Sequence, residues 1–284
     1  MVNSVKVADR SRSGTVESIE LELLLEGIYQ HLGDDFRGYD HAALGIKLNV
    51  FMAQYKVMTL SALQDRVLHE KSVAEALIRT LYERRSAMFE DTGYQQALRR
   101  VVLRDLRSWP DPNVWLPECR NVEDVFSIAI LLEEEGLYAK SRIFVTSPNR
   151  SLLTETMAGG FPIERMQEYE ENYRLSGGKD KLASYGQSGK QKFVFTPSLS
   201  RNIVWSQSDL TTDASFNEFQ LVVCRNAMKD FGSALRRRSL ELFDESLSSF
   251  GILSVDPANE PDLHAISGRY KPIEPSLGLY RRLG

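Results

Sequence analysis

Apolar residues recur with a helical period through the first third of the chain. In SIELELLLEGIYQHLG, residues Leu21, Leu24, Leu25, Ile28 and Leu32 fall on one stripe, and Gly33 ends it. The pattern predicts a second helix over Tyr39–Gln54. TLSALQDRVLHE and SVAEALIRTLYERR continue the period, with Thr59 and Ser72 as N-caps. The expectation is a flexible tail over 1–16, a small all-helical domain over 17–85 and a linker over 86–93.

After a predicted helix at Tyr94–Ser108 and the breaker WPDPN, the rhythm changes. Short apolar runs of strand length, Val114–Pro117 and Arg142–Thr146, alternate with a helical segment at Val122–Glu134 and an element at Ser151–Met157. A helical insertion is expected over about 160–188, then two strand-like pieces, KQKFVF and NIVWSQ. The run EFQLVVCRN reads as a fully buried strand. A helix at Ser233–Ser246, a strand at Gly251–Val255 and a terminal hairpin ending in LGLYRR complete the chain. Strands spaced by helices predict an α/β domain over 94–284, a Rossmann-like parallel sheet with a C-terminal antiparallel hairpin. No internal repeat or low-complexity tract interrupts it.

Composition narrows the function classes. The 284 residues are 42% hydrophobic and 26% charged, which is ordinary for a folded domain. A formal charge of −4 excludes a general electrostatic grip on nucleic acid. The two cysteines, Cys119 and Cys224, are far apart, so neither a disulfide scaffold nor a C-x-x-C metal site is expected, and a reducing cytoplasm fits best. His31, His41, His69 and His264 are scattered without metal-ligand spacing. No run reaches the roughly 18 apolar residues of a membrane helix, so no membrane insertion is expected.

Ligands of open α/β sheets bind beyond the carboxyl ends of the strands, here Pro117–Asp124, Thr146–Asn149, Gln207–Leu210 and Cys224–Phe231. MFED, WLPECRNVEDVFSIAILLEEEG, FNEFQLVVCRN and the GILSV…YRR ending together resemble the CheR family, which methylates receptor glutamates in chemotaxis with S-adenosylmethionine. The resemblance spans about Ile19–Arg282 in the order helical domain, linker, methyltransferase domain. It implies an S-adenosylmethionine methyltransferase fold, with a cofactor pocket at Glu118, Cys119, Val122, Glu123, Ser147, Asp209, Leu210, Arg225 and Asn226.

The motifs depart from the family's pattern at that pocket. Where the family has G-C-S-x-G-E-E-x-Y-S, this chain has Glu118-Cys119-Arg120-Asn121-Val122-Glu123-Asp124-Val125-Phe126-Ser127. Both glycines are replaced: Glu118 puts a carboxylate where the methionine end of the cofactor would lie, and Val122 is expected to resist a positive φ. The acidic acceptor for the ribose hydroxyls becomes Ser147, and the family's N-L becomes Asp209-Leu210. Cys224-Arg225-Asn226 is intact, but the following tyrosine-phenylalanine pair becomes Asp230-Phe231. In the linker, the arginine near the methyl-transfer site becomes Glu90, which would repel an acceptor glutamate. Glu90 and Asp230 are therefore degenerate catalytic positions. In AALGIKLNVFMAQYK the family's basic run is reduced to Lys47 and Lys56, leaving Leu48, Phe51 and Met52 as core or as a different partner surface.

Several features have plain structural readings. Cys119 and Cys224 are expected to be buried packing groups, Glu133-Glu134-Glu135 and Arg236-Arg237-Arg238 solvated faces, and Arg225 a cap on backbone carbonyls. The resulting expectation is a degenerate CheR-like protein without glutamate methyltransferase activity and with no cofactor, or S-adenosylmethionine where the pocket still binds it. It would serve as a regulatory or protein-binding module in a chemosensory, two-component or biofilm pathway. Its partner would be a receptor, histidine kinase, response regulator or CheB-like esterase. The alternatives are an active methyltransferase with a remodelled site and a cationic acceptor near Glu90, Asp91, Glu123 and Asp230, or a cleft reassigned to a nucleotide held by Arg120 and Asn121 at a helix N-terminus.

Overall fold

The computed structural model describes residues 15–215, 218–259, 262–263 and 268–284. The expected tail up to residue 14, and His264, lie outside these. The described residues fall into two compact units, one within 15–37 and 45–81, the other within 38–44 and 82–284.

The described part of the first unit is built from α1 (Val16–Leu32), α2 (His41–Tyr55) from Gly45 onward, α3 (Leu60–His69) and α4 (Lys71–Tyr82) up to Leu81. Thr15 caps α1 by accepting the Ser18 amide, and Gly33 at φ 85° closes it by donating to the Tyr29 carbonyl. Leu21, Leu24, Leu25 and Ile28 are buried as the stripe predicts. Thr59 caps α3, but Ser72 does not cap α4. The Glu70 carbonyl already accepts from Val73 and Ala74, so Ser72 stands inside the first turn. In α2, Leu48 and Phe51 are buried, while Ile46 and Val50 are exposed, and the Lys47 ammonium donates to the Leu81 carbonyl.

The second unit opens with α5 (Thr92–Ala97), a wider π-helical turn over Leu98–Val102 and α6 (Leu103–Leu106). The single helix expected at Tyr94–Ser108 is thus interrupted. Then follow β1 (Asn113–Leu116), α7 (Val122–Glu134), β2 (Arg142–Ser147), α8 (Arg150–Met157), β3 (Gly160–Pro162), α9 (Met166–Leu175), β4 (Gly186–Ser188), β5 (Lys192–Phe195), β6 (Ile203–Gln207), β7 (Phe219–Cys224), α10 (Ser233–Ser246), β8 (Leu247–Val255), β9 (Tyr270–Glu274) and β10 (Leu279–Arg282). Seven strands make one sheet in the order β6-β2-β1-β7-β8-β10-β9. β6, β2, β1, β7 and β8 run parallel; β10 pairs antiparallel with β8, and β9 antiparallel with β10. Gly278 turns the last hairpin at φ 72°, where a Cβ would collide with the Val255 carbonyl.

The expected helical insertion is only partly helical. β3, β5 and β4 form a separate three-stranded antiparallel sheet around α9, with Phe161, Phe193 and Phe195 packed together on it. Phe126 of α7 stacks on Phe195 at 4.2 Å, which joins the small sheet to the main core. On β1, Trp115 is fully buried and donates to Thr146 on β2. The acidic end of α7 is solvated only in part: Glu133 is exposed as expected, but Glu134 pairs with Arg99 at 2.5 Å and accepts from the Tyr173 hydroxyl at 2.6 Å.

Candidate functional site

A cavity of about 230 Å³ opens where β1, β7 and β8 end, the position at which parallel sheets present their ligands. Its wall comes from the segment before α5, the loop from β1 to α7, and the residues following β7 and β8. All but the last of these segments, the residues after β8, carry unusual backbone. Phe89, Asp91, Glu118 and Asn226 all have positive φ, between 53° and 62°, a conformation that costs non-glycine residues about 1 kcal/mol or more. Local bonds hold them there. The Phe89 amide donates to Ser127, Asp91 caps α5, and the Asn226 amide donates to Asp256.

The β1–α7 loop corrects one expectation. Val122 is not asked to take a positive φ, because Asn121, at φ −142°, is the N-cap and Val122 is the first residue of α7. The left-handed residue is Glu118, at φ 54°, the first of the two positions at which the resemblance expects glycine. Its side chain is only 2% exposed and forms an ion pair with Arg120, itself 3% exposed. Arg120 also donates to the Tyr39 hydroxyl at 2.6 Å and to the Tyr82 carbonyl, with its guanidinium 4.3 Å from the Tyr82 ring centroid. Arg120 therefore turns inward, and Asn121 accepts the Asp124 amide; neither is left for a phosphate in the manner expected of a reassigned nucleotide cleft.

Beside this pair, Arg84 donates to Asp230 at 3.4 Å. Burial, then the neighbouring Arg120 charge, lower the Arg84 pKa. For Arg120 the cost of burial is outweighed by Tyr39 and Glu118, and its pKa is raised. Burial pushes the Tyr39 phenol upward. Asp124, on the first turn of α7, accepts from Ser86 at 3.0 Å; burial raises its pKa to about 6, against those hydrogen bonds.

The remaining expected positions divide. Glu90, Glu118, Cys119, Arg225 and Asn226 line the cavity. Arg225 stacks 3.8 Å from the Tyr94 ring centroid, pairs with Asp91 at 3.0 Å and caps the Leu277 carbonyl as anticipated. Glu123 and Asp230 do not line it. Glu123 accepts from Tyr169 at 2.6 Å, so the expected acidic cluster of Glu90, Asp91, Glu123 and Asp230 is not assembled. Ser147 is fully buried with an unpartnered hydroxyl oxygen, Leu210 is buried, and the Asp209 carboxylate accepts from Thr211; none of these three lines the cavity. Burial raises both cysteine pKa values, as expected of packing groups. Arg84 and Gln95, which also line the cavity, were not legible: Arg84's partner Asp230 lies far away along the chain, and the bond from the Gln95 amide to the Glu90 carbonyl depends on the local fold of the segment before α5.

A parallel sheet with an antiparallel end, carrying its cavity at the strand ends, defines a methyltransferase-type α/β domain. Residues 84–261 match the family model described as CheR methyltransferase, SAM binding domain. The chain belongs to the CheR methyltransferase family. It is 37% identical over 264 residues to the protein Cher3 of Pseudomonas putida, covering 93% of this chain and 97% of that one. It is 23% identical over 230 residues to a chemotaxis protein methyltransferase of Listeria monocytogenes, covering 80% and 85%. Among solved structures, the CurJ carbon methyltransferase aligns with a TM-score of 0.43 and 11% identity, over 95% of this chain and 72% of that one. Among the described residues, no helix is long and apolar enough to cross a membrane.

Proposed function

We propose that this CheR-family protein no longer transfers methyl groups and serves as a binding or regulatory module in a chemosensory signalling pathway, with a protein of that pathway as its partner. The observation that carries the reading is the buried Glu118–Arg120 ion pair, with Arg84 beside it, in the wall of the cavity at the strand ends. S-adenosylmethionine needs close backbone approach at the first loop and an acidic acceptor at the end of β2. This chain offers an inward-facing carboxylate and guanidinium at the first and a buried neutral hydroxyl at the second. The residues present do not fit the cofactor.

Glu90 adds to the argument. It brings a carboxylate to the cavity, where an acceptor glutamate would meet like charge instead of a guanidinium. The test compares the natural chain with a Glu90→Arg/Glu118→Gly/Arg120→Ser/Ser147→Asp variant, using labelled S-adenosylmethionine and cell lysate. The natural chain is expected to transfer no label, and the variant to gain donor binding. Methylation by the natural chain at saturating donor overturns the reading.

A further inference from the structure

The two edges of the seven-stranded sheet are built differently. β9 carries Lys271, Pro272 and Glu274, and its pairing with β10 shifts register between Leu279 and Tyr280. Charges, proline and bulges keep an edge strand from pairing with another chain. β6, at the opposite edge, has none of them. Its residues Ile203, Val204, Trp205, Ser206 and Gln207 are all uncharged, and they pair with β2 in unbroken register.

That register fixes which backbone groups face outward. The Ile143 amide, opposite Ile203, donates to the Asn202 carbonyl, and the Ser208 amide donates to the carbonyl of Ser147, opposite Gln207. In a parallel ladder this turns the backbone of Asn202, Val204, Ser206 and Ser208 toward β2, and that of Ile203, Trp205 and Gln207 away from it. The N–H groups of these last three have no partner among the described residues. The strand is bare on one face as well. Parallel strands are normally covered on both sides by their crossovers, but no helix lies between β6 and β7 among the described residues. Val204 is 42% exposed, with Ser206 exposed beside it.

We propose that β6 pairs edge to edge with β6 of a second copy of this chain, antiparallel and centred on Trp205. Charge at the strand ends selects this occupant and this orientation. The exposed Arg201 precedes the strand, and Asp209, whose carboxylate also accepts from Thr211, follows it. Antiparallel pairing about Trp205 sets each Arg201 beside the other copy's Asp209, whereas parallel pairing sets Arg201 against Arg201 and Asp209 against Asp209. Ile203 then faces Gln207, Trp205 faces Trp205, and every outward N–H of both strands meets a carbonyl. The two-fold closes an edge that would otherwise remain open to aggregation.

The experiment is analytical ultracentrifugation of the full chain over about a hundredfold range of concentration. The mass is expected to rise with concentration to twice that of the single chain. Gln207→Pro removes an outward N–H and leaves the ladder to β2 intact, and Arg201→Glu sets two carboxylates together at each end of the seam. Each should weaken dimerisation at least about tenfold. Cross-linking reads the register. Val204 of one copy stands opposite Ser206 of the other as a non-hydrogen-bonded pair, with Cα atoms about 4.5 Å apart, which a disulfide can span; like residues lie diagonally at about 7–8 Å, which it cannot. Under mild oxidant a mixture of Val204→Cys and Ser206→Cys chains should therefore form covalent dimers much faster than either variant alone, while the buried Cys119 and Cys224 stay unreactive. A single-chain mass at every concentration overturns the proposal and leaves the edge to a strand of another protein. A dimer untouched by both substitutions, or cross-linking no faster in the mixture, overturns it too.

Discussion

Removing the Glu118–Arg120 pair one side at a time should cost far more than removing both. In Arg120→Met, a carboxylate that is 2% exposed loses its cation, and breaking a buried pair in this way costs about 3–5 kcal/mol. Glu118→Gly strands Arg120, but Arg120 keeps the Tyr39 hydroxyl and Tyr82 carbonyl, and glycine relieves the φ of 54°. Those relieving effects return about 1–2 kcal/mol, leaving a net loss of about 2–3. The double variant Glu118→Gly/Arg120→Met removes both charges and the strain, so its stability should lie within about 1 kcal/mol of the natural chain, or above it. The cycle therefore predicts a coupling of about 4 kcal/mol or more. Urea unfolding followed by tryptophan fluorescence measures it in the right place, because Trp109, Trp115 and Trp205 all belong to the second unit. Single losses that add up in the double variant to within about 0.5 kcal/mol would refute the claim that the two side chains form one buried unit.

Three further outcomes are expected. Asp124 has a folded pKa of about 6 against an ordinary 3.8, so the folded state holds its proton more tightly and stability contributed by this group falls as pH rises from about 4 to 6. The difference is worth at most about 3 kcal/mol, and nearer 1–2 because the side chain is only partly buried. Asp124→Asn should raise the melting temperature at pH 7 and lose that advantage toward pH 4; a variant less stable at pH 7 contradicts the assignment. Glu134→Ala takes the nearest carboxylate from Arg99, which keeps Glu135 and the Ser176 carbonyl, and removes an acceptor from the Tyr173 hydroxyl and the Lys179 amide; it should lower stability by about 2–3 kcal/mol in chemical unfolding, and a loss below about 1 would show that Glu134 is solvated. Cys119 and Cys224, buried with raised pKa values, should resist a thiol reagent at pH 8 in the folded protein and react only on unfolding; rapid labelling of either refutes its burial.

Periodicity made most of the scaffold legible. The apolar runs on β1, β2, β7 and β8 and the stripe on α1 carry their burial in their own spacing. The three-residue strands β3 and β4 were not legible, since so short a run holds no period, and they exist only through pairing with β5. At the site, the departures at Glu90 and Glu118 were visible as residues, but their geometry was not. The left-handed strain fell on Glu118 rather than Val122 because Asn121 offers a better N-cap and starts α7 directly after itself. The acidic run at the end of α7 read as solvent-facing, yet Glu134 meets Arg99 35 positions earlier, a pairing that no local pattern encodes. The same limit hid Arg84, whose partner Asp230 is 146 positions away.

The central claim is that the cavity at the strand ends no longer accepts the family's methyl donor. Calorimetric titration of the purified chain with S-adenosylmethionine and S-adenosylhomocysteine, after confirming that neither was carried through purification, tests it most directly. The predicted result is no measurable binding by the natural chain and binding by the Glu90→Arg/Glu118→Gly/Arg120→Ser/Ser147→Asp variant. Binding by the natural chain as tight as that of the variant would contradict it.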